Sequence, residues 1–362
     1  MVEKTGVFRL SLLWYPLLMP EILEKLTVLA PAKINLHLAV KTKRSDGFHD
    51  IESIFLAVDL YDTLHFQLIN DDNFLEITMK NRDKLTTVSE FDSIPMFNNI
   101  IFRAITLFRE KTGYSQGIRV KVEKCIPPGG GLGGGSSDAA ATLLTLNKIA
   151  GFPCCQETLL KMAASLGSDV PFFIHKTSVA WVTGRGENIQ PIEAPPMFLV
   201  LVNPGFPSNT ASAFRLLDEY RNRNSSRTDV EPSVRKTMRT QSGDSIPFVI
   251  NEKSMNNTYI SYLNNKKSDK NSAFFAPWRL GENKFANDFL NVFPKRERII
   301  YSDIISQLTE LGAEYANLSG AGSTCFGVFN SNEQTQKAVE FLHGKWPFIQ
   351  ECTSINKINH YL

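Results

Sequence analysis

Residues 127–140 read Pro127-Pro128-Gly129-Gly130-Gly131-Leu132-Gly133-Gly134-Gly135-Ser136-Ser137-Asp138-Ala139-Ala140, with six glycines in seven consecutive positions. Such density means that the backbone must approach something closely, because glycine permits positive φ and leaves its amide N–H bare. On one side, IRVKVEKCI at 118–126 alternates as a strand; on the other, Ser137 to Ile149 reads as a helix. The order is therefore strand, loop, helix. A helix start adds partial positive charge to the bare amides, so the loop can cradle phosphate oxygens and the expected ligand is a polyphosphate. A formal GxGxxG spans 129–134, but Pro127-Pro128 and the missing short βαβ context argue against a dinucleotide fold. Ser136 stands where a Walker loop needs lysine.

Upstream, Ala30-Pro31-Ala32-Lys33-Ile34-Asn35-Leu36 places Lys33 and Asn35 two apart, on one face of a strand whose Ile34, Leu36 and Leu38 fill the other. The whole stretch 28–68 alternates like paired strands around a polar turn at Ser45, Asp46 and Gly47. Asn98 and Asn99 precede an amphipathic helix that Gly113 stops. Downstream, Gly167-Ser168-Asp169-Val170-Pro171-Phe172-Phe173-Ile174 sets one acid against an apolar run. Taken singly, Lys33 reads as an exposed strand lysine and Asp169 as a turn or cap residue.

The chain has 362 residues, 43% of them apolar, with 39 basic against 37 acidic side chains. This length suggests two domains with cores that need no disulfide or metal staple. Near-neutral charge argues against a chain whose main task is coating nucleic acid or an anionic membrane. Five cysteines, an odd number without CxxC spacing, point away from zinc ribbons and secreted disulfide frameworks and toward a cytoplasmic setting.

Residues 1–26 are expected to be an N-terminal extension, untranslated or disordered. Its apolar run from Val7 to Leu18 contains Arg9 and Pro16 and is too short to span a bilayer, and Met19 offers a start. A polar stretch, 221–275, reads as a disordered insertion. Between 221 and 272 it holds ten basic against five acidic residues; since the whole chain is +2, the remainder is −3. The basic excess belongs to a spacer rather than to the body.

These stretches, together with Asp46-Gly47-Phe48-His49 and Leu318-Ser319-Gly320-Ala321-Gly322-Ser323-Thr324-Cys325-Phe326, resemble the GHMP small-molecule kinases. The most telling strings are PAKINLHLAVKTKRSDGFHDIESIF, GGGLGGGSSDAA and GSDVPFF, in the family's order and spacing. The likeness runs from about residue 28 to the end, apart from the insertion. It implies an α/β fold of the α+β type in two domains, a ribosomal-protein-like one at 27–190 and a ferredoxin-like one at 191–362, with the active site between them. It also implies ATP-dependent phosphorylation of an alcohol. Within the family the match is nearest the branch whose acceptor is the 2-hydroxyl of a cytidine-diphosphate-linked methylerythritol, in non-mevalonate isoprenoid precursor synthesis.

Carried over by position, the resemblance makes Asp169 the catalytic base and Lys33 its cationic partner. The triphosphate of ATP falls to Pro128, Gly129, Gly130, Gly131, Leu132, Gly133, Gly134 and Gly135, with Ser136 and Ser137 hydroxyls near the phosphates and Asn99 near the adenine. Mg²⁺ is expected to arrive with ATP rather than in a protein-built site, with Ser137 a ligand candidate. Asn35, Phe48, His49, Thr210, Gly320, Gly322 and Ser323 fall on the acceptor side, Phe48 standing where many members carry tyrosine. Implied partners are small molecules only, without membrane or nucleic acid, for a monomer or homodimer. Asp138 beside the loop either caps the helix or faces the phosphates and weakens ATP binding. Two other readings remain: a GHMP kinase for homoserine, mevalonate or a sugar, and a silent homologue that binds nucleotide.

Overall fold

The computed structural model describes residues 22–81, 96–225, 236–239, 245–248 and 286–360. The N-terminal sheet has six strands. β1 (Ile22–Lys43) and β2 (His49–Ile69) form a long antiparallel hairpin, continued by β4 (Gly117–Lys124) and β3 (Leu75–Asn81) on one side and by β5 (Val179–Gly184) and β6 (Asn188–Pro191) on the other. Four helices accompany this sheet: α1 (Ile100–Thr112), α2 (Gly134–Ile149), α3 (Gln156–Leu166) and α4 (Val170–His175). As the sequence suggests, Asn99 caps α1 by accepting a hydrogen bond from the Ile101 amide at 2.9 Å, and Gly113 ends it in the left-handed region.

The second sheet is built from β7 (Phe198–Asn203), β10 (Tyr315–Leu318), β11 (Cys325–Phe329) and β12 (Phe348–Thr353), in the order β10-β11-β7-β12 with every pair antiparallel. Helices α5 (Thr210–Ser225) and α6 (Lys295–Glu310) lie between β7 and β10, and α7 (Asn332–Leu342) between β11 and β12. That β-α-β-β-α-β order with its strand arrangement is the ferredoxin-like topology expected for the C-terminal half. A separate two-stranded hairpin, β8 (Lys236–Arg239) with β9 (Ser245–Phe248), falls inside the polar stretch.

Several boundaries differ from the expectations. Residues 22–26 belong to β1, paired with β2, so the extension is shorter than 1–26; residues 1–21 lie outside the described part. Arg221 belongs to α5 and donates to the carbonyls of Val40 and Lys41 at 2.5 and 2.8 Å, which fastens this helix to β1. The insertion therefore begins beyond Ser225, and most of the remainder to 275 lies outside the described residues. The tail also crosses back to the first domain: the Leu29 amide donates to the His360 carbonyl at 2.9 Å and the Ile355 amide to the Ala57 carbonyl at 3.2 Å.

The strand of Lys33 needs one more correction. Ile34 and Leu36 lie in one hydrophobic cluster, but Leu38 lies in the other. The pairing register explains this: Asn35 faces Phe55 and His37 faces Ile54, so Leu36 is an extra residue in a bulge. An extra residue reverses the alternation beyond it. Leu38 thus joins Lys33 and Asn35 in lining the cleft between the two halves.

Candidate active site

A cleft of about 960 Å³ runs between the glycine loop, the middle of β1 and the start of α5. The loop is held open by its carbonyls. Gly129 accepts from the Ser208 amide at 2.9 Å, Gly130 from the Thr324 amide at 3.1 Å, and Leu132 from the Lys33 amide at 2.9 Å. Gly131 accepts from Ser319 Oγ at 2.9 Å and from Lys33 Nζ at 3.2 Å. With these acceptors engaged by protein, the donors of the loop and the unpaired first-turn amides of α2 remain for a ligand.

Glycine is required at two positions in particular. Gly131 has φ +75° and a Cβ there would lie 2.1 Å from the Ser319 carbonyl oxygen; Gly133 has φ +68° and its Cβ would meet Lys33 Cγ at 3.0 Å. Gly133 also precedes α2 without any side-chain cap, so no side-chain oxygen competes for the helix-start amides.

Lys33 is the hub. Its buried ammonium sits 3.3 Å from Asp169 Oδ2, donates to Asn35 Oδ1 at 2.6 Å, and lies 4.7 Å from the centre of the Phe55 ring. Asn35 in turn donates through Nδ2 to Ser53 Oγ at 2.9 Å. Asp169 opens α4, where Pro171 supplies a preset first turn, yet its carboxylate makes no cap hydrogen bond. The capping reading of Asp169 is thereby replaced by an ion pair facing the cleft, with the aspartate side chain 30% exposed and the lysine 4%.

On the other wall, His49 is buried and its Nε2 lies 2.7 Å from Asp218 Oδ1, while Lys43 Nζ donates to Asp218 Oδ2 at 3.0 Å. Burial draws the Asp218 carboxyl upward, but the hydrogen bonds from Lys43 and His49 outweigh it and hold it below the usual carboxylate range. The His49 ring stacks on Phe214, centres 5.0 Å apart at 20°. Phe48 is 53% exposed, with the Arg185 guanidinium 5.1 Å from its ring centre.

Most residues anticipated from the sequence meet here: Lys33, Asn35, Phe48, His49, Asn99, Pro128 to Ser136, Asp169, Thr210 and Gly320 all line the cleft. Three do not reach it. Ser137 is fully buried beneath the loop with its hydroxyl unpartnered among the described residues. Ser323 is also buried, donating to the Phe206 carbonyl and accepting from Asn203 Nδ2. Gly322 packs against Leu318 and Tyr301, so the 319–324 loop supports the glycine loop from behind. Asn99 presents an amide whose oxygen is already committed to capping α1.

The fork posed for Asp138 resolves in neither expected way. Its Oδ2 accepts from Lys124 Nζ at 2.7 Å, and the same ammonium is bonded to Asp62, all three groups being buried. Asp62 Oδ1 also accepts from the Cys125 and Ile126 amides at 2.6 and 2.9 Å, pinning the strand end that feeds the glycine loop. Burial lowers the Lys124 ammonium, but two carboxylates outweigh this and hold it above the ordinary lysine value. Burial, reinforced by the neighbouring Asp62, raises Asp138 to about 7.

Sequence reading missed Phe214, Asp218, Lys124 and Arg185. Thr210, Phe214 and Asp218 are spaced by four along one face of α5, so the helical repeat counted onward from Thr210 was the available signal.

Known proteins resemble this chain across both of its halves. The family model described as the GHMP kinases N terminal domain matches residues 99–177, and that for the GHMP kinases C terminal matches 300–347. A 4-diphosphocytidyl-2-C-methyl-D-erythritol kinase of Thermodesulfovibrio yellowstonii is 34% identical over 322 residues, 89% of this chain and 95% of its own length. One from Caldanaerobacter subterraneus subsp. tengcongensis is 31% identical, covering 92% of this chain and 98% of its own. A crystal structure of 4-(cytidine 5'-diphospho)-2C-methyl-D-erythritol kinase superposes with TM-score 0.61 at 26% identity, covering 90% of this chain and 98% of that one. Homoserine kinase from Cytophaga hutchinsonii, at TM-score 0.59 and 15% identity with 94% and 97% coverage, shares the fold. With both family models matched and relatives more than 30% identical over about nine-tenths of the chain, the chain belongs to the 4-diphosphocytidyl-2-C-methyl-D-erythritol kinases of the GHMP kinase superfamily.

Proposed function

We propose that this protein transfers the γ-phosphoryl group of ATP to the 2-hydroxyl of 4-diphosphocytidyl-2-C-methyl-D-erythritol, giving the 2-phosphate and ADP in non-mevalonate isoprenoid precursor synthesis. The observation that carries this reading is the position of one ammonium. Lys33 Nζ is 3.3 Å from Asp169 and 3.2 Å from the Gly131 carbonyl, so the acceptor-facing carboxylate and the phosphate cradle share a single hub.

The roles follow from chemistry. A carboxylate with an ordinary value of about 3.9 cannot strip a proton from a free alcohol, whose proton is held nearly as tightly as that of water at about 15.7. Asp169 instead orients the hydroxyl and takes its proton late, as the new oxygen–phosphorus bond forms and the bond to the ADP oxygen breaks. Lys33 offsets charge gathering on the transferred group. Alignment in the cleft does most of the work.

The loop fits a polyphosphate, since the carbonyls of Gly129 to Leu132 are engaged and no described residue accepts from their amides. Mg²⁺ brought in with ATP would neutralise phosphate charge when bound. Ser136 lines the cleft and is the better-placed hydroxyl toward it than Ser137. The cytidine end of the acceptor falls to His49, Phe48 and Phe214, and its polyol to Asn35 and Thr210. No described helix is long and apolar enough to cross a membrane. A cytoplasmic setting with small-molecule partners goes with the proposed reaction.

ADP release with Mg-ATP and this acceptor, run beside homoserine and mevalonate, tests the reading. Turnover is expected with the cytidine-linked acceptor alone and to be lost in Asp169→Asn. Turnover with another alcohol instead would retain the phosphate cradle and reject the acceptor; nucleotide binding without any turnover would leave a silent homologue.

A further inference from the structure

Asp218 has no part in the phosphoryl transfer just described, yet it makes the shortest polar contact to His49. The ring nitrogen Nε2 lies 2.7 Å from Asp218 Oδ1. The other carboxylate oxygen is occupied by Lys43 Nζ at 3.0 Å, which keeps the group ionised and in place. An ionised carboxylate only accepts, so the proton of the neutral imidazole resides on Nε2. Nδ1 is then a bare acceptor, and no described residue hydrogen-bonds it.

The ring plane is fixed as firmly as the proton. Phe214 stacks beneath it at 5.0 Å and is itself held edge-on by Phe289 at 4.9 Å. His49, Phe214 and Asp218 all border the cleft. The result is an oriented acceptor bordering the same cavity as the Lys33–Asp169 pair.

We propose that Asp218 is a positioning residue that makes the cleft select a pyrimidine bearing an exocyclic amino group, cytosine over uracil. The inference rests on the reading that a cytidine diphosphate group occupies the cleft beside His49. An amino N–H of cytosine donates to Nδ1. The carbonyl that uracil carries at that place sets lone pairs against a lone pair, and a buried acceptor left unpaired is costly. Asp218 touches no reacting atom and acts only through His49.

The test compares wild type, Asp218→Asn and Asp218→Glu by inhibition with CDP and with UDP against the acceptor, together with kcat at saturating acceptor. An asparagine can turn its NH₂ toward Nε2, which then accepts and leaves the ring proton on Nδ1. Wild type is expected to bind CDP at least about tenfold more tightly than UDP, as one buried hydrogen bond gained against one lost would give. Asp218→Asn should bring that ratio to within about threefold, with kcat changed by no more than about the same factor, because Nδ1 no longer accepts. Asp218→Glu, which retains an acceptor-only carboxylate, should restore part of the preference.

An Asn variant that keeps the wild-type ratio, or weakens both nucleotides equally, would overturn the inference while leaving the cytidine reading intact. A wild type that binds neither nucleotide and does not turn over the cytidine-linked acceptor would overturn both.

Discussion

Two buried lysines stand within one cleft, each against carboxylates, and they serve different ends. Lys33 meets one aspartate whose side chain is 30% exposed, and its other partners are an amide oxygen and a loop carbonyl. Lys124 meets two aspartates that are both sealed from solvent. The first arrangement leaves a carboxylate face open to the cleft; the second closes both carboxylates around one ammonium, with the buried Asp138 Oδ1 unpartnered among the described residues. Burial and charge pairing alone therefore do not mark a reactive group. What marks it is the direction in which the remaining lone pairs point.

Substitution at the two centres should separate chemistry from scaffold. Asp169→Asn is expected to lower kcat by about 10² to 10⁴-fold, while the urea unfolding midpoint moves little, since Lys33 keeps its bonds to Asn35 and Gly131. A midpoint that falls together with kcat would make Asp169 structural. Lys124→Met should do the reverse in kind, costing about 3–5 kcal/mol of stability because the buried Asp62–Asp138 pair loses its one countercharge. A correctly folded Lys124→Met protein with unchanged stability would refute the scaffold role. Between them lies Gly131→Ala. A methyl placed 2.1 Å from the Ser319 carbonyl, at φ +75°, must displace the loop from the 319–324 segment. The expected loss is about 1–3 kcal/mol, read as weaker ATP binding in calorimetry with little change in acceptor binding. Equal weakening of both ligands would show that the cleft walls are not independent.

The same contrast explains how much of the fold and of the site is legible in the amino-acid sequence. Recognition by backbone leaves a compositional trace, which is why residues 127–140 point to a phosphate cradle and why the strand ahead of them and the helix after them fall nearly where the pattern puts them. Recognition by side chains leaves none. Asp62, Lys124 and Asp138 come from two strands and a helix, and each alone reads as an ordinary surface charge. Asp218 lies 169 positions from His49. Leu38 takes the opposite face from the expected one because strand alternation assumes no bulge, and the bulge at Leu36 is set by how β1 meets β2 rather than by any turn residue nearby. The ferredoxin-like order of the second half came through the family resemblance, since β7 and β12, far apart in the chain, pair only in three dimensions.

The smallest effect bears on what it means for a carboxylate pair to be closed around one ammonium. Lys124 can neutralise only one of Asp62 and Asp138, so the second charge is uncompensated in a buried site. A proton relieves this, which is the physical content of the Asp138 value near 7. In the unfolded chain the same group titrates near about 3.9. Between those values the folded protein binds more protons than the unfolded one, so this group's contribution to stability falls as pH rises from about 4 to about 7 and is flat above. Asp138→Asn cannot take up that proton. Relative to the variant, wild type should therefore lose stability between about pH 5 and about pH 8, as followed by urea midpoints at both values. The magnitude is expected to be below that of Lys124→Met, because Lys124 remains paired with Asp62 in the variant. Parallel pH profiles for the two proteins would mean that Asp138 stays ionised in the fold. The Lys124 cluster would then hold a net charge beside the phosphate loop, and the distinction drawn from Lys33 would weaken.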